Sequence, residues 1–106
     1  MSVRNPAPTR IRLPLDSIES FCQKWQIREL SFFGSVLRDD FTPESDVDVL
    51  VTFEPEAHWS LWDFIDLRDE LSSLLQREVD VVSERGLRNP FRRQEILGSR
   101  QVVYAA

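Results

Sequence analysis

The 106-residue chain lacks several features that would assign it to a particular class of protein. Its one cysteine, Cys22, cannot form an internal disulfide or a thiolate zinc site, which favours the reducing cytoplasm as its location. It has no apolar run close to the ~20 residues that span a bilayer, and no apolar stretch follows its basic start, so we expect no membrane span and no secretory signal. A chain of this length has room for one adequate core, which favours a single domain over residues 1–106, with residues 1–14, which contain three prolines, as a flexible N-terminal segment.

Positive charge is scarce in the middle of the chain. Residues 39–84 contain fourteen acidic residues and two arginines, whereas the segments on either side carry more bases than acids. Because nucleic-acid phosphates are bound by clustered Lys and Arg, we expect no direct nucleic-acid binding. Such an acidic segment fits divalent cations or a basic partner, and a merely solvated acidic surface stays open as the plainer explanation.

Apolar periodicity predicts helices that alternate with strands. Asp16 and Glu19 have the spacing of a capping box, Ser60 is a predicted N-cap, and Pro90 and Gly98 bracket a short helix. The predicted strands are 27–33, 47–53, 78–83 and an edge strand at 101–104, and the predicted helices start near 16, 60 and 90. This order predicts an α+β fold with a mixed sheet of about four strands covered by helices.

Acidic residues interrupt two strands that are otherwise apolar. Asp46 and Asp48 are two residues apart, so their side chains point to one face of the sheet, and Asp80 lies between valines in the next strand. If the two strands are neighbours, the three carboxylates converge and can hold two metal ions for an in-line phosphoryl displacement. Asp80 can also accept the proton of the nucleophile. A solvated strand face is the alternative for the first pair.

Gly34 and Ser35 directly follow a predicted strand. A helical turn that begins there presents backbone N–H groups and a hydroxyl to an anion such as a phosphate. A simple turn explains the same two residues, so this observation alone leaves the function open.

Together these residues form a pattern that resembles a known family. Gly34-Ser35, then ten residues, then Asp46-Val47-Asp48 resembles the signature of the DNA polymerase β-type nucleotidyltransferases. The short chain and Val79-Asp80-Val81-Val82 are similar to the minimal nucleotidyltransferases, which pair as antitoxins with HEPN toxins. Arg38 matches an arginine that contacts the triphosphate in related antibiotic nucleotidyltransferases, and Ser45 also fits the pattern. The sequence has Asp39 where the family often has a glycine.

The resemblance implies a palm-like nucleotidyltransferase fold and a Mg²⁺-dependent transfer of AMP from ATP to a protein hydroxyl. The implied acceptor is a tyrosine of a cognate HEPN RNase toxin, which the modification silences. The implied site comprises Asp46, Asp48 and Asp80 as catalytic and metal-binding residues for two Mg²⁺ ions, and Gly34, Ser35, Arg38 and Ser45 as nucleotide-binding residues. The alternative is a non-catalytic nucleotide-binding module that neutralises its partner by contact.

Several other residues have more than one interpretation. His58, the only histidine, is expected at the surface. Trp62 lies on the acidic side of the second predicted helix, either as a partner anchor or folded beneath the loop at 54–59. An arginine cluster near the C-terminus either reaches the triphosphate or a partner, or forms a solvated helical face: Arg85, Arg88, Arg92 and Arg93.

Overall fold

The computed structural model describes residues 2–3, 14–34 and 46–106. Within these residues the chain forms three α-helices, five strands and a 3-10 turn at Glu84–Gly86. The strands are β1 Ser2–Val3, β2 Ile27–Phe33, β3 Val47–Phe53, β4 Val79–Ser83 and β5 Gln101–Ala105. The helices are α1 Leu15–Lys24, α2 Leu61–Leu75 and α3 Pro90–Ser99. The α+β class and the four longer strands predicted from the sequence are confirmed.

The strands form one mixed sheet in the order β1-β5-β2-β3-β4. β3 runs parallel to β4, and the other neighbouring pairs are antiparallel. The parallel pair follows from the connection through α2, because parallel neighbours need a long crossover, usually a helix. β5 was predicted as an edge strand, but it lies between β1 and β2.

The two faces of the sheet differ in what covers them. One face, which we call the helical face, packs against α1 and α2. Its core contains every second residue of β3 together with the buried stripe of α2, Leu67, Leu71 and Leu75. The other face, which we call the acidic face, has a smaller buried cluster beneath α3: Phe33, Leu50, Leu87 and Ile96. The sheet therefore has one fully packed face and one that is packed only in part.

Two tryptophans join α1 to the loop after β3 on the helical face. Trp25 is buried, and its ring meets the ring of Trp59 edge to face with the centroids 5.1 Å apart. The indole N–H of Trp59 donates to the carbonyl oxygen of Trp25 at 2.9 Å. Arg85 also binds this loop, donating to the carbonyl oxygens of Ala57 and Glu54 at 3.0 and 2.7 Å. The loop between β3 and α2 is thus fixed at both ends.

The helix caps test the predicted helix starts. Ser60 accepts from the N–H of Asp63, and Asp63 accepts from the N–H of Ser60, which confirms the predicted N-cap of α2 and adds a capping box. The capping box predicted at Asp16 is wrong. Helix α1 begins at Leu15 with Pro14 as its N-cap, so Asp16 already lies within the first turn, and no side chain caps the helix.

The start of the chain also differs from its prediction. Residues 1–14 were predicted to be flexible, but Ser2 and Val3 pair with Ala105 and Tyr104 as β1. The physical reason is that the outer edge of β5 offers unpaired backbone groups to any nearby extended segment. Residues 4–13 lie outside the described residues. Among the described helices, none has the length and apolar character needed to cross a bilayer.

Candidate active site

The three predicted acids lie at one end of the parallel strand pair. Asp46 directly precedes β3, and Asp48 and Asp80 are register partners on β3 and β4. Neighbouring strands lie about 4.8 Å apart, so these two residues sit side by side on the acidic face. The N–H of Val47 donates to the carbonyl oxygen of Glu78 at 2.9 Å, which fixes this register where both strands begin. Asp46 and Asp80 are exposed and Asp48 is half-buried, so the pair opens to solvent.

Gly34 lies against the carboxylate of Asp48. β2 and β3 pair Phe33 with Asp48, which places Gly34 at the end of β2 beside that side chain. Gly34 has a φ of 73°, in the left-handed region that favours glycine. A Cβ atom built on Gly34 would lie 2.3 Å from Oδ2 of Asp48, closer than any side chain allows. Glycine is therefore required here both by the backbone conformation and by the approach of the carboxylate.

A cavity of about 490 Å³ adjoins Gly34 and Asp48. This volume falls in the usual range of small-molecule pockets, roughly 300–1,000 Å³. Its other wall is formed by helix α3 and its N-cap residue Asn89, and the helix contributes Phe91, Arg92, Glu95, Ile96 and Ser99. Sequence reasoning did not identify this wall, except for Arg92 as a member of the arginine cluster. The available signal was the spacing of Arg92, Glu95 and Ser99, which places all three on one side of a helix.

The donor chemistry of the acids fits Mg²⁺. Mg²⁺ takes oxygen ligands and is usually held by one or two carboxylates together with waters and substrate phosphates. In the described part of the chain, no group of three acidic, histidine or cysteine side chains is already arranged around a metal position. Two adjacent carboxylates, Asp48 and Asp80, fit a metal that arrives with a nucleotide better than they fit a cage built by protein alone.

The structure separates the arginines of the predicted cluster. Arg85 is committed to the carbonyl oxygens of the loop after β3, and Arg93 forms an ion pair with Glu84. Arg88 is exposed and is not among the residues that line the cavity. Arg92 is exposed and does line the cavity. Of the four, Arg92 is the one positioned to offset the negative charge of the acids and a bound phosphate.

The remaining predicted residues fall into two groups. Ser35, Arg38 and Ser45, and the helical turn predicted after Gly34, lie outside the described residues. The others are described: His58 is exposed in its loop, Trp62 is 75% exposed on α2, and Cys22 is fully buried in the core. Burial raises the pKa of the Cys22 thiol, so it stays protonated and unreactive at neutral pH.

Comparison with known proteins identifies the family of this chain. Residues 16–103 match the nucleotidyltransferase domain family. Protein adenylyltransferase MntA of Thermococcus cleftensis is 35% identical over 100 residues, an alignment that covers 87% of this chain and 96% of the relative. The chain therefore belongs to the nucleotidyltransferase family.

Two solved structures share the fold. One is a chain of a toxin–antitoxin complex with AMP-PNP, with a TM-score of 0.70, 19% identity, and coverage of 89% of this chain and 75% of that chain. The other comes from a complex of a tri-AMPylated Shewanella oneidensis HEPN toxin with an MNT antitoxin, with a TM-score of 0.61, 18% identity, and coverage of 86% and 69%. At these identities the likeness concerns the fold.

Proposed function

We propose that this protein is a Mg²⁺-dependent protein adenylyltransferase that acts as an antitoxin in the cytoplasm, where it transfers AMP from ATP to a tyrosine hydroxyl of a cognate HEPN toxin. The observation that carries the proposal is the side-by-side placement of Asp48 and Asp80, with Gly34 against the Asp48 carboxylate and a cavity beside them. The family, and a relative named a protein adenylyltransferase, support the same reaction.

The chemistry is an in-line displacement at the α-phosphorus of ATP. The oxygen of the acceptor hydroxyl forms a bond to that phosphorus, the bond to the bridging oxygen of pyrophosphate breaks, and pyrophosphate leaves. Asp80, exposed at the mouth of the site, accepts the proton of the hydroxyl. Asp46, Asp48 and Asp80 would hold Mg²⁺, which neutralises the charge of the phosphates and polarises the phosphorus–oxygen bonds.

The remaining groups bind and orient the nucleotide. Gly34 lets the backbone at the end of β2 approach the Asp48 carboxylate closely, so that a phosphate in the adjoining cavity can contact both. Arg92, on the opposite wall of the cavity, supplies positive charge. Ser35, Arg38 and Ser45 keep their proposed nucleotide-binding roles, which rest on the family signature.

In the proposed reaction the acceptor hydroxyl comes from a second protein. The acids lie at the open end of the parallel strand pair, and the described residues are largely taken up by the sheet and its three helices. A partner that presents a tyrosine to the acidic face completes the site. This need for a supplied acceptor fits an antitoxin that acts on its own toxin.

The test uses ATP labelled in turn on the α- and the γ-phosphate, with Mg²⁺ and the HEPN protein encoded beside this gene. We expect the α-label to enter the partner and the γ-label to remain in pyrophosphate, which distinguishes adenylylation from phosphorylation. Replacing the acceptor tyrosine with phenylalanine should remove the label. A verified cognate partner that takes up no α-label from the wild-type protein would contradict the proposal.

Variants of the acids separate the enzyme from a binding module. The double variant Asp46→Asn with Asp48→Asn keeps the shape of the site and removes two metal-binding charges, so we expect it to lose transfer and to lose protection of cells from the partner. The matched control is Asp16→Asn with Glu56→Gln, which removes two exposed charges away from the cavity. If the double Asn variant transfers no label and still protects cells as well as the wild type, the protein neutralises its partner by contact alone.

A further inference from the structure

Phe91 is the most exposed large apolar residue in the described part of the chain. Its side chain is 83% accessible to solvent, compared with 75% for Trp62 and 72% for Leu61. Leu61 and Trp62 begin α2, whereas Phe91 begins α3 and lines the cavity that Gly34 and Asp48 adjoin. An exposed phenyl ring contributes little to the folded core, and beside a cavity its face is available to a ligand.

The local structure holds Phe91 in place. The side-chain oxygen of Asn89 accepts from the backbone N–H groups of Phe91 and Arg92 at 3.0 and 3.2 Å, and Pro90 fixes the backbone at the first helical position. One turn further along the helix, Ile96 is buried in the cluster beneath α3 and anchors the helix to the sheet. The ring is therefore carried by a fixed first turn and not by a loose loop.

The cavity extends along most of helix α3. Phe91 and Ser99 both line it and are eight residues apart, roughly 12 Å along a helix axis. Across from them lie Gly34 and Asp48, where the phosphates bind under the proposed function. A nucleotide with its phosphates at Asp48 leaves its base to contact another part of the same cavity. Two aromatic residues line the cavity, and because the ring of Phe33 is buried, Phe91 is the one whose ring is accessible to a base.

We infer that Phe91 stacks on the nucleobase of the bound nucleoside triphosphate and so contributes to nucleotide affinity, an inference that rests on the proposed function. Base–aromatic stacking needs only an accessible ring face and tolerates every base, since each base has a π-face. Partner docking is the other use of an exposed aromatic. The nucleotide is favoured because Phe91 shares one cavity with Asp48, and because that cavity has the volume of a small-molecule pocket.

The experiment compares the binding of Mg·ATP with that of Mg·tripolyphosphate, which lacks the base, by calorimetry on the full chain. We expect Phe91→Ala to weaken Mg·ATP roughly tenfold, the usual scale for loss of one base–aromatic stack, and to leave tripolyphosphate affinity unchanged. Phe91→Trp retains the ring face and should bind Mg·ATP as well as the wild type. Leu61→Ala, which shortens another exposed apolar residue at the start of α2, is the matched control and should change neither affinity.

The outcomes separate this inference from the proposed function. Equal Mg·ATP affinity in the wild type and Phe91→Ala overturns the stacking role while leaving adenylyl transfer intact. An equal loss for Mg·ATP and tripolyphosphate also overturns it, because the substitution has then disturbed the phosphate site. Unchanged nucleotide affinity with a weakened partner complex assigns Phe91 to partner docking instead. A wild-type protein that binds no nucleotide ends both proposals.

Discussion

The two faces of the sheet divide stability and chemistry between them. On the helical face, β3 contributes only apolar side chains, and all of them are buried in the core that includes residues of α1 and α2. On the acidic face the same strand contributes Asp48 and Leu50, one to the site and one to the small cluster beneath α3. A strand alternates its side chains between the faces, so one seven-residue segment serves both purposes. The difference shows that the carboxylates are tolerated because the opposite face supplies most of the buried area.

The largest expected effect comes from Gly34→Ala, which changes both the backbone at the end of β2 and the position of the Asp48 carboxylate. The new Cβ would displace the Asp48 carboxylate, and the φ of 73° adds strain of about 1–2 kcal/mol for a residue with a side chain. Since displacements of this kind cost about 10²-fold in rate, we expect AMP transfer to fall about 100-fold, with a smaller loss of melting temperature. Initial rates of labelling and a thermal melt measure the two effects.

Gly98→Ala is the matched control for that variant. Gly98 lies in α3, and a Cβ there meets nothing within 4 Å. Alanine in a helix is favoured over glycine by about 0.5–1 kcal/mol, so we expect a slightly raised melting temperature and an unchanged rate. A wild-type transfer rate in Gly34→Ala would show that the close approach to Asp48 has no role in the reaction.

The second prediction compares a core residue from each side of the sheet. Leu67 is fully buried on the helical face, so Leu67→Ala should lower the free energy of unfolding by about 2–5 kcal/mol and leave Mg·ATP affinity unchanged below the melting temperature. Ile96 is the buried residue of α3, on the acidic face, and it also lines the cavity. Ile96→Ala should cost less stability, because the cluster there is smaller, and should weaken Mg·ATP binding.

Urea denaturation and calorimetry on the same two proteins test this contrast. The division between the faces would be wrong if Leu67→Ala weakened nucleotide binding as much as Ile96→Ala does. It would also be wrong if Ile96→Ala proved the more destabilising of the two.

The third prediction concerns the exposed side of α2. Trp62 is 75% exposed, which sets aside the interpretation that it folds beneath the loop at 54–59. As an anchor for the proposed partner, Trp62→Ala should speed dissociation by roughly 10-fold to 100-fold, within the range of interface hot spots. Its melting temperature and Mg·ATP affinity should stay at the wild-type values. A destabilised variant that dissociates at the wild-type rate would remove Trp62 from the interface.

The smallest expected effect is that of the charges beside Trp62. Asp66 and Asp69 are exposed on the same side of α2, and Asp69 is partly offset by an ion pair with Arg68 at 3.2 Å. Complementary charge mainly raises association rates, so Asp66→Asn with Asp69→Asn should slow association a few-fold and flatten its dependence on salt. Stopped-flow mixing at two salt concentrations measures both quantities. A changed dissociation rate with unchanged association would assign these acids to a contact within the interface.

Much of the sheet could be predicted because its signals are local. The apolar residues at every second place from Val47 to Phe53 give the strand and its two faces, and the two-residue spacing of Asp46 and Asp48 gives their shared face. Ser60 shows the start of α2 by its own chemistry. The capping box at Asp16 was a wrong prediction because the N-cap of α1 is Pro14. Strand β1 was not predicted because its two residues are too few to show an alternating pattern.

The cavity wall could not be predicted, because it depends on contacts between distant parts of the chain. Ile96 and Leu87 hold α3 against Phe33 and Leu50, residues that precede them by several tens of positions. Only this packing brings Phe91 and Arg92 to the acids of β3. The motif pointed to Gly34, but the positive φ and the approach of Asp48 required the geometry of the β2–β3 pair.

The joined tryptophans have an optical consequence. Trp25 and Trp59 share one edge-to-face contact and one hydrogen bond within the packed side of the molecule, whereas Trp62 stands in solvent. The intrinsic fluorescence of the protein therefore has two sources that respond to different events. Emission from Trp25 and Trp59 should change on unfolding, and emission from Trp62 should change when a partner binds to α2. Quenching by a small solute should reach Trp62 first and the paired indoles last, so a label-free cuvette experiment can follow folding and partner capture in one sample.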